Sequence, residues 1–350
     1  MNKKIITIAI KVIVITIFLI LSIYVGYLHF IKSQPIVDEI TVDEVASPKE
    51  EPEEIKTLNI IDVDSDERSI AIMIDNISAA LPHVGLQDAY IIYEIIVEGG
   101  QTRLLALYKD KTTEVIGPVR STRHYYIDYA LENDAVFVHF GHSPKALSDI
   151  NQLKINNIDG FFFENPFWRN KKIKAPHNVF TSMEKLREGI KIKNYNTKLL
   201  EPILLNYVID EFDLLERENN IPANNIKIHY SSSHYIDYEY DEENKVYKRF
   251  MKGTPHIDGI TEEQYYFKNI IIYNIKNVSL NAGEGRQELL NIGEGDGYYI
   301  TNGYAIPIKW LKESRTSQTK YLDIDGNEME INDGNTFIHL QPVNQTLVIE

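Results

Sequence analysis

Cysteine is absent from this chain of 350 residues. The sequence can therefore form no disulfide, and it offers no thiol nucleophile, no thiolate metal ligand and no cysteine to carry a lipid. A domain that lies outside the cell without disulfides has to be stabilised by its own core. This property fits a bacterial surface protein better than a eukaryotic secreted one.

Basic residues are also in short supply, with 36 Lys and Arg against 51 Asp and Glu and a net charge of −15. The resulting field repels nucleic acid, so we expect no partner of this class. The imbalance is concentrated in residues 38–67, which hold twelve acidic side chains and two lysines. Like charges, together with Pro48 and Pro52, predict an extended acidic linker over residues 32–66.

Charge is missing altogether from residues 12–31, an apolar run of 20 residues that is long enough to cross a bilayer as a helix. Lys3, Lys4 and Lys11 precede the run, so the positive-inside rule places residues 1–11 in the cytoplasm and the rest of the chain outside. The alternative is a cleaved signal peptide. The length of the run and the lack of a small-x-small cleavage site favour a single-pass transmembrane anchor.

The remaining chain first mixes strand and helix signals and then becomes mostly β. This order predicts an α+β protein, with a sheet that carries helices on one side. We place an N-terminal α/β domain at residues 67–205 and a β-rich C-terminal domain at residues 206–350. Helices are predicted at 121–133, 144–153, 182–189 and 207–219. Strands are predicted at 69–76, 135–141, 226–230, 235–240, 245–250, 269–275, 297–301, 304–310 and 336–340.

Two glutamates lie within the apolar run YIIYEIIVEGG at residues 90–100. The β-branched and aromatic residues of the run favour a strand over a helix, and its two final glycines turn the chain into a second strand at 102–108. On one strand face, the Cα atoms of Glu94 and Glu98 lie roughly 13 Å apart. Paired glycosidase carboxylates are about 5 Å or about 6.5–9.5 Å apart. The two glutamates therefore cannot form such a pair by themselves.

Three arginines follow this hairpin closely and are the natural partners of the two glutamates. Arg120 and Arg123 lie in the segment GPVRSTR, where a rigid Gly-Pro turn leads into a predicted helix. Arginine suits fixed ion pairs and also bidentate capture of carboxylate or phosphate. The segment is thus either a structural clamp or an anion site. The candidate ligand-binding residues are Arg103, Arg120 and Arg123, with Asp75 and Asn76 at the polar turn that ends the first strand.

The histidines supply a second set of candidates. His139 and His142 end a predicted strand, and His177 follows the basic run at 169–174. Their spacing matches no helical zinc signature, and we predict neither a metal nor a cofactor. Hydrogen-bonded structural roles and general acid–base roles both stay open. Further along, residues 239–259 are predicted to form a plain hairpin whose polar residues are Asp241, Arg249, His256 and Asp258.

Several short segments stand in a fixed order along the chain: AIMIDN, GLQDAYIIYEIIVEGGQTRLLALY, GPVRSTRHYYIDYA, VFVHFGHSP and APHNVFTS. In these segments the chain resembles the YerB family of bacterial cell-surface proteins, over about residues 60–345. The resemblance implies a layered ββα sandwich as N-terminal domain and a smaller β-rich C-terminal domain. Many members are similar to lipoproteins with an N-terminal cysteine, which this chain lacks. The family is a domain of unknown function, so no catalytic residue can be carried over.

These observations lead to two functional hypotheses. The first is a membrane-anchored, extracytoplasmic module of the cell envelope, binding or structural, with a pocket for a cell-wall component or another anionic polymer. The second is a peptidoglycan hydrolase or lyase that uses Glu94 or Glu98 as acid or base, assisted by His139 or His177. The sequence alone does not choose between a binding protein and an enzyme.

Overall fold

The computed structural model describes residues 3–32, 57–280 and 285–350. Residues 57–350 belong to one compact unit, and the N-terminal helix belongs to another. The helices are α1 (Lys3–Lys32), α2 (His124–Glu132), α3 (Pro144–Leu153) and α4 (Met183–Ile192). Ser143 and Ser182 begin α3 and α4 by accepting a backbone N–H through the hydroxyl, as the sequence predicts for such caps.

Strands dominate the compact unit. Those before residue 206 are β1 (Ile70–Asp75), β2 (Ile91–Ile96), β3 (Thr102–Tyr108), β4 (Val136–His139), β5 (Asn157–Asp159), β6 (Trp168–Arg169) and β7 (Val179–Phe180). Those after it are β8 (Asn206–Val208), β9 (Ile221–Pro222), β10 (Asn225–Ser231), β11 (His234–Asp241), β12 (Val246–Met251), β13 (Thr254–Pro255), β14 (Tyr266–Phe267), β15 (Asn269–Ser279), β16 (Gln287–Leu290), β17 (Gly293–Thr301), β18 (Tyr304–Lys312), β19 (Lys320–Leu322), β20 (Glu330–Asn332), β21 (Thr336–Pro342) and β22 (Leu347–Ile349).

A 12-stranded sheet forms the centre of the unit, with the main order β19-β18-β17-β15-β21-β2-β3-β1-β4-β5. The hairpin of β2 and β3 is antiparallel, as predicted, and β3 is also antiparallel to β1. Strand β1 runs parallel to β4, and β4 runs parallel to β5. The carboxyl ends of β1, β2, β4 and β5 therefore share one edge of the sheet, which we call the carboxyl edge.

The central sheet is covered on both faces. Tyr93 of β2 donates a hydrogen bond to Glu132 of α2 at 2.7 Å, so this face carries the helix. Its neighbour Glu94 points to the other face and meets Arg249 of β12, in the second, six-stranded sheet. Alternate residues of a strand face opposite sides, so β2 contacts both outer layers. The result is a ββα layering, in which the second β layer comes from the C-terminal half.

The two predicted domains share the central sheet. Strand β2, from the region 67–205, pairs with β21, from the region 206–350. The C-terminal region is not the smaller partner, since it supplies seven of the twelve strands, namely β9, β15, β16, β17, β18, β19 and β21. A sequence boundary near residue 205 therefore does not coincide with a break in the hydrophobic core.

Two features were predicted for the N-terminal part of the chain, a membrane anchor and an acidic linker. A helix does cover residues 12–31, but no helix within the described part of the chain is apolar and long enough to span a membrane. This finding goes against the predicted single-pass transmembrane anchor. Of the predicted acidic linker 32–66, residues 33–56 lie outside the described residues. Its last part belongs to the folded unit, because Ile61 is buried in the core.

Most of the predicted elements between residues 69 and 340 are present. The helix predicted at 207–219 is wrong: this segment contains the end of β8 and only a short 3₁₀ turn at Leu214–Glu216. Asp213 begins that turn by accepting the N–H of Leu215, a local bond that favours turns over helix interiors.

Candidate functional site

Glu94 lies in a closed polar network between the two sheets, which we call the buried network. The side chain has no solvent exposure. Its Oε2 accepts a hydrogen bond from Nη2 of Arg249 at 2.8 Å, and its Oε1 accepts from Thr102 at 2.7 Å and from Asn76 at 3.0 Å. Burial alone would raise the pKa of Glu94, but the charge of Arg249 and a hydrogen bond from His234 hold it well below its usual range. Glu94 is thus a fully satisfied carboxylate.

The expected partners of Glu94 are not those it has. Sequence proximity suggested Arg103, Arg120 or Arg123, whereas the actual partner is Arg249, the arginine of the predicted plain hairpin. Both ends of this ion pair are completely buried. A buried pair of this kind needs excellent geometry to offset desolvation, and here hydrogen bonds supply it.

The buried network continues from Arg249 towards the carboxyl edge. Because arginine only donates, its Nη1 donates to Nδ1 of His256 at 2.6 Å. His256 then donates through Nε2 to Nδ1 of His83 at 2.7 Å, and Nε2 of His83 donates to the carbonyl of Asp75 at 2.6 Å. Burial lowers the pKa of His83 to about 4 and holds the pKa of His256 well below its ordinary value. Both rings in this series of hydrogen bonds are therefore neutral at pH 7.

A different arrangement occurs at the surface of the carboxyl edge. Asp75, the last residue of β1, is buried, and its Oδ2 lies 2.6 Å from Nδ1 of His177 and 3.1 Å from Nε of Arg120. The side chains of His177 and Arg120 remain 17% and 25% exposed. Among the described residues, no hydrogen-bond partner is found for Nε2 of His177 or for the terminal nitrogens of Arg120. We call these three residues the surface cluster.

The local fold explains how the surface cluster is assembled. The backbone N–H of Arg120 donates to the carbonyl of Met73, and that of Val119 donates to the carbonyl of Val179. This segment therefore bridges β1 and the strand that follows His177. The loop before His177 carries exposed cations, and these are Arg169, Lys171, Lys172 and Lys174. The cluster combines free donors with positive charge, which suits an anion.

The other two predicted arginines act as clamps. Arg123 makes a bidentate ion pair with Glu98, with nitrogen–oxygen distances of 2.5 and 3.0 Å. Glu98 belongs to the turn after β2, so it does not share a strand face with Glu94. Arg103 is buried and donates to the carbonyl of Ser121 at 2.6 Å. Burial, together with the nearby charge of Arg123, lowers the pKa of Arg103 to about 10.

Three potential metal ligands meet beside the surface cluster. The ligand atoms of His139, His142 and Asp159 all lie within 4.8 Å of one another. Each is already in a hydrogen bond: Nδ1 of His139 donates to the carbonyl of Gly141 at 2.9 Å, and Oδ2 of Asp159 lies 2.7 Å from Nδ1 of His142. Burial lowers the pKa of His139 to about 4. These hydrogen bonds also hold the local turn.

The comparisons with known proteins match both halves of this fold. Residues 58–196 match the N-terminal domain, and residues 226–338 the C-terminal domain, of the family described as protein of unknown function (DUF3048). The chain belongs to this family. It is 28% identical over 287 residues to the putative lipoprotein YerB of Bacillus subtilis (strain 168), covering 79% of this chain and 82% of that protein.

The structural comparison agrees with the sequence comparison. The crystal structure of YerB from Bacillus subtilis matches with a TM-score of 0.73 at 25% identity, covering 84% of this chain and all of the YerB chain. The YerB-like family suggested by the sequence motifs is thus confirmed, and with it a two-part α+β fold.

The structure sorts the sequence candidates into three places. Asp75, Arg120 and His177 meet in the surface cluster, although more than 100 residues separate the first from the last. Asn76 and Glu94 lie in the buried network. The remaining candidates serve clamps and turns: Glu98, Arg103, Arg123 and His139. Asp159 was not among the sequence candidates, and its only signal is its place in the segment IDG, where it is the last residue of β5.

Proposed function

We propose that the protein binds an anionic component of the bacterial cell envelope at the surface cluster. The observation that carries this proposal is the pairing of two partly exposed donors, Arg120 and His177, on one buried carboxylate, Asp75. The carboxylate fixes their orientation, and the outer nitrogens stay available for a ligand. Ligands commonly bind outside the carboxyl ends of parallel strands, which is where the cluster lies.

The charge distribution supports an anionic ligand. The chain as a whole is strongly acidic, whereas the loop before His177 exposes several cations next to the cluster. Such a local reversal of sign attracts anions to one place on an otherwise repellent surface. Peptide carboxylates and polymer phosphates are the envelope groups of the right chemistry.

Isothermal titration of the full chain with muropeptides and with inorganic polyphosphate tests the proposal. We expect Arg120→Gln to weaken binding at least tenfold. Arg187→Gln is the matched control, because Arg187 is similarly exposed but already paired with Glu67 at 2.7 Å. Equal losses in both variants, or no binding of either ligand to the wild type, would contradict the proposal.

We also propose that the folded unit lies outside the cytoplasm, at the cell envelope. The similarity to a putative lipoprotein supports this location, although this chain has no cysteine for a lipid. Protease added to intact, wall-stripped cells should degrade the protein while a cytoplasmic marker survives. Protection of the protein in such cells would contradict the location.

The second candidate is a peptidoglycan hydrolase or lyase whose catalytic residue is neither of the two glutamates suggested by the sequence. Glu94 is inaccessible and Glu98 is held by Arg123, which leaves His177 as the general base, oriented by Asp75. This candidate requires activity on purified sacculi that is lost in His177→Gln. The absence of any released fragments with the wild type would rule it out.

A further inference from the structure

Two phenylalanines next to the surface cluster are unusually open to solvent. Phe161 is 65% exposed and Phe162 is 72% exposed, in a molecule whose other aromatic side chains mostly pack into the core. Both follow Asp159 at the carboxyl edge of the sheet. Large exposed rings of this kind mark interaction sites when they form a patch.

The turn that presents these rings is rigidly built. Oδ1 of Asp159 accepts the backbone N–H groups of Gly141 and Phe161 at 2.9 and 3.0 Å. The carbonyl of Asp159 accepts two more N–H groups, from Phe162 and Phe163. A side chain at Gly160 would collide with the ring of Phe140, so the turn packs tightly on its support. The exposed rings are therefore held in place by a network that includes the three potential metal ligands.

Phe140 joins the turn that carries the rings to the segment of Arg120. The ring of Phe162 is nearly parallel to that of His142, with 5.7 Å between the centroids and 22° between the planes, and most of it stays exposed. Phe161 packs edge-on against Phe140, whose backbone N–H donates to the carbonyl of Arg120 at 3.0 Å. Arg169 lies over the ring of Phe140 as well. The two exposed rings are thus linked through Phe140 to the segment of Arg120 and to the cation Arg169.

We propose that this aromatic surface stacks against a sugar ring, so that the ligand of the surface cluster is an anionic sugar. The proposal rests on the anion binding proposed above. The C–H bonds of a pyranose carry a small positive charge and pack against the negative face of an aromatic ring. A sugar that bears a carboxylate, such as N-acetylmuramic acid, would place its ring on Phe162 and its acid group on Arg120 and His177.

A membrane surface is the other partner that exposed phenylalanines and cations attract. The geometry favours the sugar, because the rings of Phe162 and His142 are nearly parallel, with 22° between their planes. Nearly parallel rings offer a single stacking direction to a ligand ring, whereas insertion into lipid has no such requirement.

Isothermal titration of the full chain with three probes tests this inference. The probes are the disaccharide of N-acetylglucosamine and N-acetylmuramic acid, D-lactate as the same acid group without the sugar, and vesicles of anionic phospholipid. We expect the wild type to bind the disaccharide at least tenfold more tightly than lactate. Phe162→Ala should remove this advantage and leave lactate binding unchanged. Tyr266→Ala, at an exposed aromatic residue elsewhere, is the control and should behave as the wild type.

The other outcomes distinguish the sugar site from the anion binding proposed above. Equal affinity for disaccharide and lactate, or a Phe162→Ala variant that keeps the full advantage, overturns the sugar site and leaves anion binding intact. If the wild type binds neither the disaccharide nor lactate, both proposals are overturned. Vesicle binding that depends on Phe162, without preference for the disaccharide, overturns the sugar in favour of a membrane. Phe161→Ala provides a second test if Phe162→Ala fails to fold.

Discussion

Asp75 and Asn76 are consecutive residues, yet their side chains belong to two opposite kinds of polar cluster. Asn76 donates to Glu94 inside the buried network, where every charge has a protein partner. Asp75 supports Arg120 and His177 in the surface cluster, where donors are left over. Both clusters use carboxylate, arginine and imidazole. The residue types alone therefore do not distinguish a structural network from a binding site; the solvent exposure of the donors does.

The difference has a physical origin in solvation. A charge between two sheets cannot be left unpaired, because the cost of desolvation would destabilise the fold. A charge at the carboxyl edge can keep free donors, because water satisfies them until a ligand replaces it. The buried network should thus govern stability, and the surface cluster should govern binding.

The largest effect is expected from breaking the buried ion pair. Arg249→Met leaves Glu94 charged and without a cationic partner, so the free energy of unfolding should fall by about 3–5 kcal/mol in urea denaturation. Adding Glu94→Gln to the same chain should recover part of this loss, because no buried charge then remains. If Arg249→Met alone is as stable as the wild type, the distinction between the two clusters is lost.

Acid should weaken the buried network next. His339 of β21 also belongs to this network, since its Nδ1 lies 3.8 Å from Oε2 of Glu94. Burial lowers the pKa of His83 to about 4 and of His339 to about 3, below the ordinary value of about 6.5. The unfolded chain therefore takes up these protons first, and the free energy of unfolding should fall as the pH drops from about 6.5 to about 4. The expected slope is about 1.4 kcal/mol per pH unit for each histidine. Urea midpoints measured across this range should be flatter for His83→Gln than for the wild type.

A smaller effect is expected where the aromatic turn packs beside the surface cluster. Gly160→Ala forces a methyl group against Phe140, and overpacking of this kind costs about 1–3 kcal/mol. The change should also displace the exposed rings and weaken disaccharide binding. Gly99→Ala is a useful comparison, because its Cβ meets no neighbour and only its positive φ is unfavourable. Equal binding by both variants would argue against a rigid aromatic surface.

The smallest effect should come from the clamp between Arg123 and Glu98. Both side chains are partly exposed, so Arg123→Gln should cost no more than about 1 kcal/mol. Thermal denaturation at low and high salt can measure this, since salt screens such a pair. A loss as large as that of Arg249→Met would show that exposure does not separate the two kinds of ion pair.

The sequence predicted the local features of this molecule well. The strand character of residues 91–96, the Gly-Gly turn and the serine caps all follow from short-range preferences, and the structure contains each of them. All three residues of the surface cluster, Asp75, Arg120 and His177, were among the sequence candidates, although the sequence did not separate them from the candidates that serve clamps and turns.

Long-range pairing could not be predicted in the same way. The partner of Glu94 lies 155 residues away in Arg249, and nothing near either residue in the chain indicates the other. The parallel pairing of β2 with β21 likewise joins distant segments, which made two regions of one sheet look like separate domains. Periodicity reports which face is buried, but it does not report what covers that face.

Nuclear magnetic resonance of the histidine side chains tests the central comparison most directly. A muropeptide added stepwise to the full chain should shift the ring signals of His177, while those of His83 and His256 stay in place. This result would locate binding at the surface cluster and confine the buried network to a structural role. Shifts of the buried rings with no change at His177 would contradict the account.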